Sequence, residues 1–153
     1  MLFLVAEVRD KKVVEQEEVV NAQDLIGAPP AFVSFRQPVK SKVQARMTHE
    51  GEIIFTGRVA TVITYQCGRC LEFFDKSVDL DFQQVVTPDQ LDVDITPEIR
   101  ETLLIDLPVR AICRENCKGI CPTCGKNLNN FSCECAPAPV DTRWNALKSF
   151  PFK

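Results

Sequence analysis

The sequence predicts an α+β domain, a mainly antiparallel β-sheet or partial barrel with one packed helix, carrying a cysteine-rich zinc module at its C-terminal end. Three observations carry that expectation. Apolar and polar residues alternate through much of residues 39–86, the period of strands with one buried face. One segment, residues 96–107, combines helical spacing with helix-start signals. Eight cysteines fall in four close pairs: Cys67-x2-Cys70, Cys113-x3-Cys117, Cys121-x2-Cys124 and Cys133-x-Cys135.

The chain has 153 residues, 45% of them hydrophobic and 8% aromatic, enough for one ordinary core. The expected organisation is a β domain over residues 1–108, a cysteine-rich module over 109–136 and a tail over 137–153. Residues 1–6 read as a first strand rather than an export signal. No positive charge precedes the short apolar run, and it leads straight into Glu7, Arg9 and Asp10. No apolar run approaches the ~20 residues that span a bilayer. A soluble, cytosolic protein is expected.

Gly27 and Pro29-Pro30 separate a first hairpin from a larger meander. In the meander Val39, Val43, Ala45 and Met47 occupy odd positions, His49-Glu50-Gly51-Glu52 is turn-like, and Val59, Thr61, Ile63 and Tyr65 continue the alternation. Beyond the first cysteine pair, Val78, Leu80 and Phe82 alternate with Asp79 and Asp81. The helix is expected over 97–107. Thr96 caps it, Pro97 takes its first position, Glu98 places an acid in the first turn, and Pro108 stops it. Its apolar face, Ile99, Leu103, Leu104 and Leu107, is expected to pack on the sheet. In the tail, Trp144 and Leu147 are three apart, so one helical turn presents both, either docked on the domain or as an exposed interaction segment.

Four close pairs supply eight thiolates, enough for two four-cysteine zinc sites with nothing left over. The single histidine, His49, leaves little material for an open catalytic site. Disulfides are disfavoured in the reducing compartment expected here. A redox dithiol normally opens a helix after a strand, whereas Cys67-Gly68-Arg69-Cys70 lies between two β-patterned runs, where a zinc knuckle at a hairpin turn fits better. Cys121-Pro-Thr-Cys124-Gly125 has the form of a zinc-ribbon knuckle whose natural partners are Cys133 and Cys135. That leaves Cys113 and Cys117 to meet Cys67 and Cys70, although a mixed pairing or a single site with spare thiols stays open, as does iron in place of zinc. Cys133-x-Cys135 needs a bend, because alternate residues of an extended chain point to opposite faces.

The net charge of −3 does not by itself suggest nucleic-acid binding, but the charge is unevenly distributed. Residues 36–69 carry a net +4, residues 70–106 a net −8, and residues 107–153 a net +4. Arg110, Arg114, Lys118 and Lys126 lie among the thiols of the second half, and Arg69 sits inside the first knuckle. Two readings of these cations stay open. They compensate anionic four-thiolate sites, or they form a face that contacts RNA phosphates. The acidic segment is read as a solvated face.

The residues then match a family. Tyr65-x-Cys67-x-x-Cys70-Leu71-Glu72-x-Phe74 resembles the first signature of the large ribosomal RNA subunit accumulation (YceD) family. Leu107-Pro108-Val109, Cys113, the run Cys117-Lys118-Gly119-Ile120-Cys121-Pro122-x-Cys124-Gly125-x-Asn127-Leu128-Asn129 and Cys133-x-Cys135 resemble its cysteine-rich form. Asp141-x-Arg143-Trp144-x-x-Leu147 resembles its C-terminal end, so the similarity covers roughly residues 60–150. Ile120 stands where leucine is usual, and the acidic segment at 88–98 is short.

The resemblance implies a non-enzymatic bacterial or organellar factor that supports accumulation of 23S ribosomal RNA and large-subunit assembly. In agreement, the sequence has no Ser/His/Asp or Cys/His nucleophile set, no phosphate-cradling Gly-rich loop and no zinc-protease helix motif. The expected partner is precursor 23S rRNA or a nascent large subunit in the bacterial cytoplasm, with no membrane and no small-molecule substrate. Arg69, Arg110, Arg114, Lys118 and Lys126 are the candidate RNA contacts. The alternative is a zinc-stabilised adaptor that grips a ribosomal protein or RNA-processing enzyme.

Overall fold

A computed structural model describes residues 1–29, 31–89, 91–135 and Arg143. Its strands are β1 (Leu2–Leu4), β2 (Val13–Val20), β3 (Val33–Phe35), β4 (Val39–Met47), β5 (Ile53–Gln66), β6 (Phe73–Val86) and β7 (Asp92–Asp94). Its helices are α1 (Val5–Lys11), α2 (Ala22–Ile26) and α3 (Thr96–Asp106). The protein is α+β, with a mostly antiparallel sheet and the cysteines gathered toward the C-terminal part.

The alternation read in the sequence is the sheet. In β5 every second residue from Ile53 to Tyr65 is buried, and in β4 Val39, Val43 and Ala45 are buried while Lys40, Lys42 and Arg46 face solvent. β5 is the spine: β6 pairs along all 14 of its residues on one edge. On the other edge β4 pairs with its first half and β3 with Ile63–Tyr65. β2 extends the sheet beyond β4, and the sheet stays open rather than closing into a barrel.

All three helices cover one face. Val5 and Val8 of α1, Leu25 and Ile26 of α2, and Ile99 and Leu103 of α3 bury against Val14, Val43, Phe55 and Val59 of the sheet. Phe3 meets Phe55 edge-on, with ring centroids 5.2 Å apart. A second cluster, Val33, Ile63, Tyr65, Val78 and Ala111, lies at the β5–β6 end and leads into the cysteines. Gly57 is the one glycine of β5, and the Phe82 ring from β6 occupies the space its side chain would fill.

The beginning of the chain differs from expectation. Residues 1–6 do not form one strand of a hairpin: β1 ends at Leu4, α1 follows, and β1 pairs with the distant β7. A six-residue apolar run has no period that distinguishes a strand from a buried helical turn. The helix at 97–107 is present as α3, but Ile95 rather than Thr96 is its cap residue. Asp94 takes over the capping bond, accepting from the Thr96 N–H at 3.0 Å. Pro108 stops the helix as expected, forcing Leu107 into an extended conformation. Leu104 faces outward rather than joining Ile99 and Leu103. Trp144, Leu147 and the rest of the expected tail, Arg143 apart, lie outside the described residues. No helix among the described residues is long and apolar enough to cross a membrane.

Candidate metal centres

Cys67 and Cys70 sit in the tight turn joining β5 to β6, whose geometry is set by backbone bonds. The Cys67 N–H donates to Glu72 O (2.9 Å) and the Leu71 N–H to Cys67 O (2.9 Å). Leu71 takes a positive φ of 63° to turn the chain into β6. The segment after α3 is stitched onto this turn. The Gly68 N–H donates to Ala111 O at 2.8 Å, and the Ile120 N–H to Arg69 O at 3.1 Å. Gly119, at φ 76°, runs so close to Arg69 that a Cβ there would lie 3.2 Å from the Arg69 carbonyl oxygen.

These contacts bring Cys67, Cys70, Cys113 and Cys117 together, with all four sulfurs within 4.8 Å of one another. The Cys67 and Cys117 sulfurs are 3.9 Å apart and those of Cys70 and Cys113 3.8 Å. Sulfurs about 2.3 Å from one tetrahedral ion lie about 3.8 Å from each other, whereas a disulfide holds them at about 2.05 Å. All eight cysteines are free thiols. The first cluster therefore has the spacing of a four-sulfur metal site.

The second cluster is local. The Cys121 N–H donates to Lys126 O (2.8 Å) and the Gly125 N–H to Cys121 O (2.9 Å), closing a knuckle in which Gly125 adopts φ 72°. Cys133 and Cys135 return to it, and these four sulfurs also lie within 4.8 Å of one another. Of the pairings left open by the sequence, the structure selects Cys67/Cys70 with Cys113/Cys117 and Cys121/Cys124 with Cys133/Cys135. Cys133 and Cys135 lie outside any strand, and both sulfurs converge on the same cluster as that motif requires. Three members of the first cluster are buried, whereas Cys124 is exposed and Cys133 and Cys135 are half-buried.

In each cluster the surroundings favour the thiolate at some cysteines and oppose it at others. Burial opposes ionisation of Cys67, but the amide N–H groups of Cys70, Cys113 and Arg69 outweigh it and bring the thiol down to about 6. The Arg69 and Cys113 amides both lie 3.4 Å from that sulfur. Cys121 is likewise lowered to about 6, by the amides of Cys124 and Thr123. The Asn129 side-chain amide donates to Cys117 Sγ at 3.3 Å and is the main cause of that thiol's lowered pKa. Cys113 is pushed the other way, to about 12, by burial and by its thiol neighbours. Cys135 also rises to about 12, chiefly through Cys124. Four thiols this close cannot all ionise unaided, and a cation at their centre removes the conflict.

The expected RNA contacts divide into two groups. Arg69 reaches the carbonyl oxygens of Glu115 (3.3 Å) and Cys117 (3.2 Å), and Arg110 donates to Gly68 O at 3.0 Å. Both guanidiniums brace the first cluster's two loops against each other. Arg114, Lys118 and Lys126 are exposed, and among the described residues no hydrogen-bonding or ion-pair partner engages their side-chain charges. Asn129 had no separate role in the sequence reading. Besides Cys117 Sγ it accepts from the Lys118 N–H at 2.9 Å, so one amide side chain aligns a loop and a sulfur together. Its signal in the sequence is its place in the run Cys124-Gly125-x-Asn127-Leu128-Asn129 that carries the family resemblance.

Comparison with known proteins finds similarity to one family. Residues 83–151 match the family model described as large ribosomal RNA subunit accumulation protein YceD. A maize protein named large ribosomal RNA subunit accumulation protein YCED homolog 1, chloroplastic, is 27% identical over 162 aligned positions, covering 76% of this chain and 53% of the maize protein. The Arabidopsis thaliana protein of the same name is 32% identical over 73 positions, covering 48% of this chain and 23% of that protein. The chain thus spans about half or less of the length of the curated relatives it matches. No solved structure matches.

Proposed function

From the YceD-family identity that these matches support, we propose that the protein is a non-enzymatic factor in accumulation of the large-subunit ribosomal RNA, acting in the bacterial cytoplasm by binding precursor 23S rRNA or a nascent particle. Both four-cysteine clusters hold Zn²⁺. Cys67, Cys70, Cys113 and Cys117 take one ion and Cys121, Cys124, Cys133 and Cys135 the other. The ion's contribution is structural: it neutralises the thiolates and ties the loops into one rigid unit.

The observation that carries the RNA reading is the free cations. Arg69 and Arg110 are occupied by carbonyl oxygens, while Arg114, Lys118 and Lys126 extend to solvent from loops that the cysteine clusters hold rigid. Rigid, exposed cations on a wall of backbone are suited to contacting RNA phosphates. The test is charge reversal of Arg114, Lys118 and Lys126 together. Zinc content and melting are expected to stay unchanged, and association with 23S precursor to fall. The log–log salt slope on single-stranded RNA is expected to drop by about 2, as three lost phosphate contacts require. RNA association that survives the triple change at moderate salt refutes the basic-face reading.

A second reading has its own observation. Ile105, Val109 and Ile112 are exposed apolar side chains along the connection from α3 to the cysteine module, as an adaptor for a ribosomal protein or RNA-processing enzyme would present. Apolar docking is nearly salt-independent, so the same titration separates the two.

A further inference from the structure

Beside the first cysteine cluster lies a cleft of about 270 Å³ lined by Glu72, Phe73, Phe74, Arg114, Asn129 and Asn130, with Cys70 and Cys113 in its wall. That is slightly below the roughly 300–1,000 Å³ of pockets that take drug-sized ligands, a scale suited to one flat ring system. Phe73 is the unexplained residue. It is 66% exposed at the start of β6, although it directly follows the rigid turn that carries Cys67 and Cys70. Its neighbour Phe74 is anchored, with its ring 5.9 Å from that of buried Tyr65 and packed on the first cysteine cluster. The backbone that presents Phe73 to solvent is therefore fixed from two sides, and the ring also borders a second cleft formed with Arg36, Thr64 and Asp75.

The polar lining has a definite chemistry. Asn130 Nδ2 donates to Glu72 Oε1 at 3.1 Å, a contact that holds the two side chains in one orientation. The Asn130 carbonyl and the other Glu72 oxygen remain as acceptors, complementary to the amino and imino donors on a nucleobase edge. Arg114, an exposed cation of the basic face, also lines the cleft, where a guanidinium is suited to a phosphate. An exposed ring, an oriented pair of acceptors and an adjacent guanidinium form the set that receives an unpaired nucleotide: stacking, edge recognition and backbone charge.

We propose that the cleft between β6 and the Cys113–Cys117 loop receives a splayed-out base of single-stranded RNA, stacked on Phe73, with Glu72 and Asn130 facing its edge and Arg114 on its phosphate. This rests on the RNA-binding reading above and narrows it: the protein selects unpaired RNA over duplex. Base-paired nucleotides cannot present a free face to Phe73.

The experiment compares the full chain with Phe73→Ala and Phe73→Trp on a fluorescein-labelled single-stranded RNA of mixed sequence and on the same RNA as a duplex, over a range of salt. The expected results are tighter binding to the single strand and about tenfold weaker single-strand binding by Phe73→Ala. Phe73→Trp restores binding, the salt slope is unchanged by either variant, and duplex binding is indifferent to both. The tryptophan fluorescence that Phe73→Trp adds to the parent's Trp144 signal should be quenched by single-stranded RNA, a readout that a merely structural role would not move. If charge reversal of Arg114, Lys118 and Lys126 weakens RNA binding while Phe73→Ala binds as the parent does, the stacking site is refuted and the basic face stands. If the parent shows no salt-dependent RNA binding, both readings fall.

Discussion

Cys67→Ser is the sharpest test of how the first cluster holds the protein together. Cys67 is fully buried, accepts N–H bonds from Arg69 and Cys113, and belongs to a set that joins the β5–β6 turn to the segment after α3. The sulfurs of Cys70 and Cys113 that the set holds together belong to residues 43 positions apart. A cross-link closing a loop of that length withdraws about 4 kcal/mol of chain entropy from the unfolded state. In the second cluster the longest gap between successive ligands, Cys124 to Cys133, is about nine residues and gives about 2.6 kcal/mol by the same relation. Urea or thermal melts of the zinc-loaded chain should therefore show Cys67→Ser as the more damaging change. With about 2–4 °C per kcal/mol for a chain of this size, Tm falls by about 8–16 °C. Metal analysis should give one zinc per chain instead of two. Cys133→Ser should show the same stoichiometry with a smaller fall in Tm. Equal Tm losses from the two variants would refute the cross-link argument, and an unchanged zinc count in Cys67→Ser would refute the ligand set itself.

Two further predictions concern the sheet. A Cβ on Gly57 would sit 2.3 Å from Phe82 Cε1, so Gly57→Ala should destabilise by about 1–3 kcal/mol in urea titrations, and the added change Phe82→Leu should recover part of it. The Arg58 guanidinium holds the Asp79 carboxyl below its usual 3.8. The stability this adds is present above the unfolded value and is lost as pH falls through the depressed one. Asp79→Asn should therefore lower the urea midpoint slightly near pH 7 and flatten its fall as pH drops below about 4, where parent and variant converge. An acid limb as steep in the variant as in the parent would show that other carboxylates carry it.

Much of this protein is local in origin and was legible in its residues. Strand alternation in Val39–Met47 and Ile53–Gln66 depends only on which neighbours are apolar, and α3 is marked by Pro97 and Glu98 near its start and by Pro108 beyond its end. Eight thiols in four short pairs state the number and kind of candidate metal ligands, because a tight turn suffices to aim two sulfurs at one point. What the sequence left open depends on chain return over long separations. The cysteine spacing favours the meeting of Cys113 and Cys117 with Cys67 and Cys70 but leaves other pairings open, because β6 and α3 must bring residues far apart in sequence to one turn. The pairing of β1 with β7, which replaced the expected hairpin, joins opposite ends of the domain for the same reason. Charge shows the same limit. Arg69, Arg110 and Arg114 are equivalent cations in the sequence, but the fold binds the first two to carbonyl oxygens and leaves the third to solvent at the edge of a cleft. Composition sets how many charges and thiols exist, and tertiary contacts decide which remain available, because only the folded chain determines whose backbone lies within hydrogen-bond reach.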